Sequence, residues 1–201
     1  MTINMLFMSQ QRRYQQIKDL VKFKMSTTKD VKHREIINGK IAGSVSHTEF
    51  QQSIVNNLSI VIYNYMRLNI KPRNYNVLVT PFYIRLDDKN ILIPDISLIF
   101  ERIKLDYEKE SYNGAPDLVI EVVNTTKRNN GVKKIDLYKK HGVREYWIVD
   151  SDKQMTFVYL FKDVNAKSIV NVYNFSETIP VNIYSHRVTG LEINIKKLLN
   201  L

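Results

Sequence analysis

The sequence predicts an α/β (α+β) fold, in which a mixed β-sheet is flanked by helices. Two observations support this prediction. Polar turns and loops separate the apolar segments that precede Glu121, which favours antiparallel pairing of these strands. By contrast, a helical segment lies between the strand of Glu121 and the strand around Tyr146. Such a connection lets these two strands run parallel.

Length and composition predict one domain over residues 31–201. A chain of 201 residues with 44% hydrophobic residues is long enough for one core and short for two. Residues 1–30 are predicted to form an N-terminal extension, helical from about Arg12 to Lys24. Its apolar start, MLFM, is too short to span a bilayer. The extension suits an arm that contacts the DNA backbone or a membrane surface, but we favour a frayed end and expect no membrane partner.

The chain is basic and contains no cysteine. Its net charge of +10 favours binding to polyanions such as DNA, although abundant lysine, asparagine and isoleucine also arise from compositional bias alone. The absence of cysteine excludes disulfides, thiolate zinc sites and cysteine nucleophiles. This composition suits a cytoplasmic protein.

A hairpin and a long helix are predicted at the start of the domain. HREIINGKI is typical of two strands joined at Asn38-Gly39, and Glu35 is expected to be structural or to support the site. The segment SHTE matches a capping box with Ser46 as the N-cap, opening a helix that runs to about Asn69. The apolar stripe expected to face the core comprises Phe50, Ile54, Leu58, Val61 and Tyr65.

Two carboxylates interrupt strongly apolar strands. Asp95 lies in ILIPDISLIF and Glu121 in DLVIEVV, where an ionised carboxylate is costly unless it is paired or binds a metal. If these segments pair as antiparallel neighbours, the two Cβ atoms lie about 5 Å apart, close enough to share one hard cation. Asp117 lies roughly 13 Å away along the strand and is assigned to the strand start. Taken alone, each carboxylate also suits a turn or a surface ion pair.

The segment after Glu121 predicts a basic helix. In NNGVKKIDLYKKHG the apolar residues recur at helical spacing, and Lys134 and Tyr138 share one face. A lysine beside a metal-bound water helps to orient it and stabilises charge that develops on a phosphoryl oxygen. The other basic residues are expected to face solvent or to contact phosphate: Lys127, Arg128, Lys133, Lys139 and Lys140.

The remaining segments predict strands that build the sheet. YNVLVTPFYIRL gives one or two strands, and REYWIVD gives the parallel strand with Trp147 in the core. MTFVYLFK, SIVNVYNF and the residues from Val181 to Tyr184 give further strands. IKKLLNL is predicted to form a short closing helix.

Four motifs carry a resemblance to a known family: PDISLIF, GAPDLVIEVVN, a KxxxY pair and HGVREYWIVD. Together they resemble the Uma-two-type restriction endonucleases, a branch of the PD-(D/E)xK nuclease superfamily. HREIINGKI, SHTEF and VTGLEINIKKLL extend the resemblance to roughly residues 31–199. It implies a restriction endonuclease-like fold and hydrolysis of DNA phosphodiester bonds with Mg²⁺, or with Mn²⁺ in its place.

The resemblance also assigns a metal site. Asp95 and Glu121 match the metal-binding acids, and the backbone carbonyl of Val122 would be a further ligand. Superfamily members usually place the catalytic lysine two residues after the second acid, where this chain has Val123. The family resembles one in which this lysine has moved to the following helix, where Lys134 matches.

Three further residues are candidates for supporting roles. Lys133 is the alternative to Lys134, and Tyr138 completes the KxxxY pair. His47 matches a histidine of the family pattern and could approach the scissile phosphate, but it equally suits an ordinary first helical turn.

We therefore predict a Mg²⁺-dependent endodeoxyribonuclease whose partner is DNA. A homodimer would be the natural way to cut both strands, since one site cuts one strand. The alternative is a catalytically silent nuclease fold that binds nucleic acid or a protein partner. It stays open because the lysine is displaced and Asn130 stands where the family often has aspartate. A serine or histidine hydrolase is disfavoured because no GxSxG motif is present.

Overall fold

The structure is a computed structural model that describes residues 34–44, 46–71, 74–100, 111–183 and 190–201. The predicted N-terminal extension, residues 1–30, and its helix lie outside the described residues. Within the described part, no helix is both long enough and apolar enough to cross a membrane.

The described residues form both helices and strands, which are numbered here in chain order. The helices are α1 (Glu49–Asn69), α2 (Arg128–His141) and α3 (Ile195–Leu199). The strands are β1 (Arg34–Ile37), β2 (Lys40–Ser44), β3 (Tyr75–Val79), β4 (Tyr83–Asp87), β5 (Asn90–Leu92), β6 (Ile96–Phe100), β7 (Ser111–Asn113), β8 (Leu118–Val123), β9 (Glu145–Asp150), β10 (Met155–Leu160), β11 (Ile169–Asn174), β12 (Ile179–Pro180) and β13 (Glu192–Ile193).

A six-stranded mixed sheet, in the order β11-β10-β9-β8-β6-β3, carries the two predicted acidic strands. β8 and β9 run parallel on either side of the α2 connection, as predicted, while the other neighbours are antiparallel. The described residues also form a five-stranded sheet, β2-β1-β5-β4-β7, and the pair β12-β13. The predicted mixed α/β class is confirmed, but the strands are divided among several sheets.

The division between the two large sheets occurs at Pro94. The segment ILIPDISLIF forms two strands, because β5 ends at Leu92 and β6 begins at Ile96. Proline has no backbone N–H to donate to a ladder, so strand pairing is interrupted there. The short strand β7 pairs in parallel with β4.

Helix α1 begins two residues later than predicted. Its N-cap is Thr48, whose side chain accepts a hydrogen bond from the backbone N–H of Gln51, and the Gln51 side chain accepts from the Thr48 N–H. The predicted N-cap, Ser46, instead accepts hydrogen bonds from Lys127. A capping box opens the helix, as predicted, but Thr48 and Gln51 form it in place of Ser46 and Glu49.

The buried stripe of α1 is also rotated from the predicted one. Phe50 is 37% exposed, and Val61 and Tyr65 are only partly buried. The residues that face the sheet follow a regular spacing of four: Ile54, Leu58, Ile62 and Met66. This spacing keeps one continuous row of side chains against the sheet.

Apolar clusters cover both faces of the six-stranded sheet. On one face, Leu58 and Ile62 of α1 pack with Ile120 and Trp147. On the other face, Tyr138 of α2 packs with a second cluster that includes Tyr146. Trp147 is fully buried, as predicted.

The end of the chain differs in part from the prediction. The closing helix is confirmed as α3. The last predicted strand is wrong, because β12 ends at Pro180 and Val181 lies outside it; Tyr184 lies outside the described residues. The backbone N–H of Asn182 donates to a side chain, Glu145 Oε2, at 2.7 Å, so this donor is not available to a neighbouring strand.

Candidate active site

The register between β6 and β8 brings the two acidic positions together. Ile96 pairs with Ile120 across these antiparallel strands, and continuing that register by one residue places Asp95 across from Glu121. The two residues are 4% and 6% exposed and line the same cavity. The predicted pairing of the two acidic segments is therefore confirmed.

Asp95 is held by His47 and by the backbone of Val122. His47 Nε2 lies 3.0 Å from Oδ1 and 3.1 Å from Oδ2 of Asp95, and the Val122 N–H donates to Oδ2 at 2.7 Å. Burial raises the pKa of Asp95, and the contact with His47 opposes this rise. The hydrogen bond to Asp95 raises the pKa of His47. These contacts fix the orientation of the buried carboxylate.

Glu121 is held by two residues of α2. Lys134 Nζ donates to Glu121 Oε1 at 2.9 Å, and Tyr138 Oη donates to the same oxygen at 2.8 Å. The spacing of four residues places both donors on one face of the helix, as predicted. Burial, together with the charge of Glu121, raises the pKa of Tyr138 well above its ordinary value, so this hydroxyl stays protonated and donates.

Glu35 lies in the wall of the same cavity. Its Oε1 accepts hydrogen bonds from Lys134 Nζ at 2.8 Å and from the Ile93 N–H at 3.0 Å. Burial raises its pKa, although Lys134 opposes this rise. Sequence reasoning left Glu35 as structural or supporting. In the strand REII this carboxylate precedes two apolar residues, and a carboxylate beside apolar strand residues is also the pattern that marks Asp95.

Lys134 carries its charge inside the protein. It is 6% exposed, and its ammonium group contacts both Glu35 and Glu121. Burial by itself lowers the pKa of a lysine, but the charges of the two carboxylates outweigh burial and raise the pKa of Lys134. The two carboxylates therefore favour the protonated, positively charged form of Lys134 in this site.

A cavity of about 440 Å³ joins these groups. Lys127 and Lys133, which are exposed, also line it, so two of the five basic residues predicted to face solvent or contact phosphate lie at this cavity. Lys127 Nζ donates to the carbonyl oxygen of Ser46 at 3.2 Å and to its Oγ at 3.1 Å. Gln51, which sequence reasoning did not select, also lines the cavity and donates to Ser151 Oγ. No local sequence signal marks Gln51 as part of a site.

Two other predicted residues lie away from this cavity. Asp117 precedes β8, and its Oδ2 accepts from the Phe100 N–H at 2.7 Å, which confirms its assignment to the strand start. Lys139 donates to the Ala166 carbonyl at 2.6 Å. The side chain of Arg128 lies outside the described part of the structure.

The donor set suits Mg²⁺ or Mn²⁺. Lys134 and Tyr138 both donate to Glu121 Oε1, and we therefore take Oε2 as the oxygen that would serve a cation. Asp95 and the carbonyl of Val122 would complete the protein ligands. Mg²⁺ usually takes only one or two carboxylates and keeps several waters. Within the described ranges, no group of three or more His, Cys, Asp or Glu side chains is arranged to hold a metal ion.

The mixed sheet, the two acids on its neighbouring strands and the lysine on the following helix define a restriction endonuclease-like protein. The chain belongs to the Uma2 family, described as putative restriction endonuclease, which matches residues 18–187. The family predicted from the sequence is thus confirmed.

A solved structure has the same fold. It is a putative nuclease belonging to DUF820 from Anabaena variabilis, with a TM-score of 0.69 and 22% sequence identity. The similarity covers 90% of this chain and 97% of that one. No curated protein matches the chain significantly.

Proposed function

We propose that this protein is a metal-dependent endonuclease that hydrolyses DNA phosphodiester bonds. The observation that carries the proposal is the meeting of Asp95, Glu121 and the buried Lys134 at one cavity. Membership of a family described as putative restriction endonuclease supports it. The net charge of +10 suits a polyanionic partner.

In this proposal, Asp95, Glu121 and the carbonyl of Val122 hold one Mg²⁺ or Mn²⁺ ion. When bound, the ion supplies a Lewis acid and lowers the pKa of a bound water. Lys134 orients the attacking water and stabilises the negative charge that develops on the phosphoryl oxygens. No side chain becomes covalently attached to the substrate.

The remaining residues hold these groups or the substrate. Tyr138 fixes Glu121, and His47 fixes Asp95 at the edge from which the phosphate would approach. Lys127 and Lys133 contact the DNA backbone at the mouth of the cavity. We further propose that two copies act together on duplex DNA, one on each strand, and that the protein works in the cytoplasm.

The test is cleavage of supercoiled plasmid DNA with Mg²⁺ or Mn²⁺. We compare the wild type with Asp95→Asn and Glu121→Gln, which keep the side-chain shape and remove the charge. Asp136→Asn is the matched control, because Asp136 is an exposed acid on α2 outside the cavity lining. Thermal melting of each variant establishes that it is folded.

The wild type and the control should nick the plasmid, and both site variants should lose at least about 100-fold in rate. Nicking that survives in Asp95→Asn or Glu121→Gln would refute the site assignment. DNA binding without nicking, together with no binding of divalent metal, would favour the silent nuclease-fold module instead.

A further inference from the structure

Glu35 joins parts of the molecule that are distant in sequence. It belongs to β1 of the five-stranded sheet, whereas Glu121 belongs to β8 of the six-stranded sheet. Lys134 on α2 lies between the two carboxylates, 2.8 Å from Glu35 Oε1 and 2.9 Å from Glu121 Oε1. Glu35 is only 5% exposed, so this contact is not a surface ion pair.

The second contact of Glu35 reaches the segment that carries Asp95. Glu35 Oε1 accepts from the Ile93 N–H at 3.0 Å. Ile93 lies between β5 and β6, where the chain passes from one sheet to the other, two residues before Asp95. One oxygen atom therefore contacts both the ammonium group of Lys134 and the backbone that leads into Asp95.

We propose that Glu35 is a positioning residue, which holds the Lys134 ammonium away from the cation-binding oxygen of Glu121 and holds the Asp95 segment in place. This inference rests on the proposed function, because it assigns Glu121 to the cation. Glu35 itself touches neither cation nor DNA in this scheme.

The charge of Lys134 is the reason why a second carboxylate matters. An ammonium group with one carboxylate partner is drawn to both of its oxygens, and Lys134 would then compete with a divalent cation for Glu121. Glu35 is a second carboxylate that shares the ammonium group, and in this proposal the sharing leaves Glu121 Oε2 for the cation. It also keeps the site one negative charge richer, which favours a dication.

The test uses Glu35→Gln, which keeps an oxygen that accepts from the Ile93 N–H and removes the charge that attracts Lys134. Glu192→Gln is the matched control, since Glu192 is exposed on β13 and loses the same charge. Four quantities are measured on the full chain: Mn²⁺ affinity by calorimetry, kcat and KM for plasmid nicking, and the position of Lys134 in a crystal structure without metal.

For Glu35→Gln we expect Mn²⁺ affinity to fall by about 10-fold or more, with kcat reduced and KM for DNA unchanged. The crystal structure should show the ammonium group moved toward Glu121 Oε2. The control should match the wild type in every quantity. A purely structural role would lower stability but leave the affinity and kcat of the folded fraction unchanged.

Wild-type Mn²⁺ affinity and an unmoved ammonium group in Glu35→Gln would overturn the inference while leaving the nuclease proposal intact. If the wild type does not nick DNA, the nuclease proposal fails, and the position of Lys134 still decides the inference. Should Glu35→Gln not fold, Glu35→Asp takes its place. It keeps the charge but is one methylene shorter, and it should also weaken Mn²⁺ binding.

Discussion

Replacing Lys134 with methionine tests the electrostatics of the site without any need for activity. Lys134 is 6% exposed and is the shared partner of Glu35 and Glu121, which are 5% and 6% exposed. Methionine keeps most of the volume of the stem and removes the ammonium group. The variant therefore leaves two buried carboxylates without their common positive charge.

The expected cost is large. Removing one partner of a buried ion pair typically destabilises a protein by about 3–5 kcal/mol, because the remaining charge is uncompensated. The cost should depend on pH. The pKa of Glu35 is already raised by burial, and the loss of Lys134 removes the main opposing effect. Since a carboxyl with a raised folded-state pKa binds protons on folding, stability is retained at low pH and lost as pH rises.

The assay is urea unfolding followed by the fluorescence of Trp147, which is fully buried, at about pH 5 and about pH 8. Lys133→Met is the matched control, because Lys133 is the exposed neighbour on the same helix. Its free energy of unfolding should stay within about 0.5 kcal/mol of the wild type. The double variant Glu35→Gln, Lys134→Met should recover part of the loss, since it buries one charge fewer.

Two outcomes would contradict this role of Lys134. If Lys134→Met unfolds at the same urea concentration as Lys133→Met at both pH values, Lys134 does not neutralise a buried pair of carboxylates. If the double variant is no more stable than Lys134→Met, the charge of Glu35 is not the cause of the loss.

Three further predictions concern single side chains. Burial raises the pKa of Glu145 from 4.5 to about 7, so wild-type stability should fall by up to about 3 kcal/mol as pH rises through this range. In urea unfolding, Glu145→Gln should remove this pH dependence, and an unchanged pH profile would mean that Glu145 is not its cause. Thr156 Oγ1 is buried without a hydrogen-bond partner among the described residues, so Thr156→Val should raise the free energy of unfolding by about 1 kcal/mol. A loss of stability in this variant would mean that the hydroxyl does have a hydrogen-bond partner. Tyr138→Phe removes a hydrogen bond to the Glu121 carboxylate and should lower the free energy of unfolding by about 2 kcal/mol. An unchanged free energy of unfolding would mean that this hydrogen bond does not stabilise the fold.

The parts of the site that local pattern could predict were predicted. Asp95 and Glu121 stood out because each interrupts an apolar strand, and their segments pair in the expected register. Helical spacing placed Lys134 and Tyr138 on one face, the family resemblance selected Lys134 over Lys133, and both predicted residues contact Glu121. Glu35 also lies beside apolar strand residues, but no pattern in the sequence indicates that Lys134 is its partner.

The errors arose where two local signals competed or where no local signal existed. Ser46 and Thr48 are both acceptable N-caps two residues apart, and the structure has Thr48 in that position. Val181 is apolar enough for a strand, but the Glu145 carboxylate takes the next backbone donor, that of Asn182. Gln51 entered the cavity wall through the rotation of α1, which the spacing of apolar residues predicted only approximately.

The sequence by itself determined the class of fold, the family, the two acidic strands and the helix that follows them, because these depend on residue type and short spacing. The tertiary structure decided which groups meet. His47 and Asp95 are 48 residues apart, Ser46 and Lys127 are 81 apart, and Glu35 and Lys134 are 99 apart. Such contacts depend on the order of strands in two sheets and on how α1 and α2 pack against them. No short stretch of sequence encodes that order.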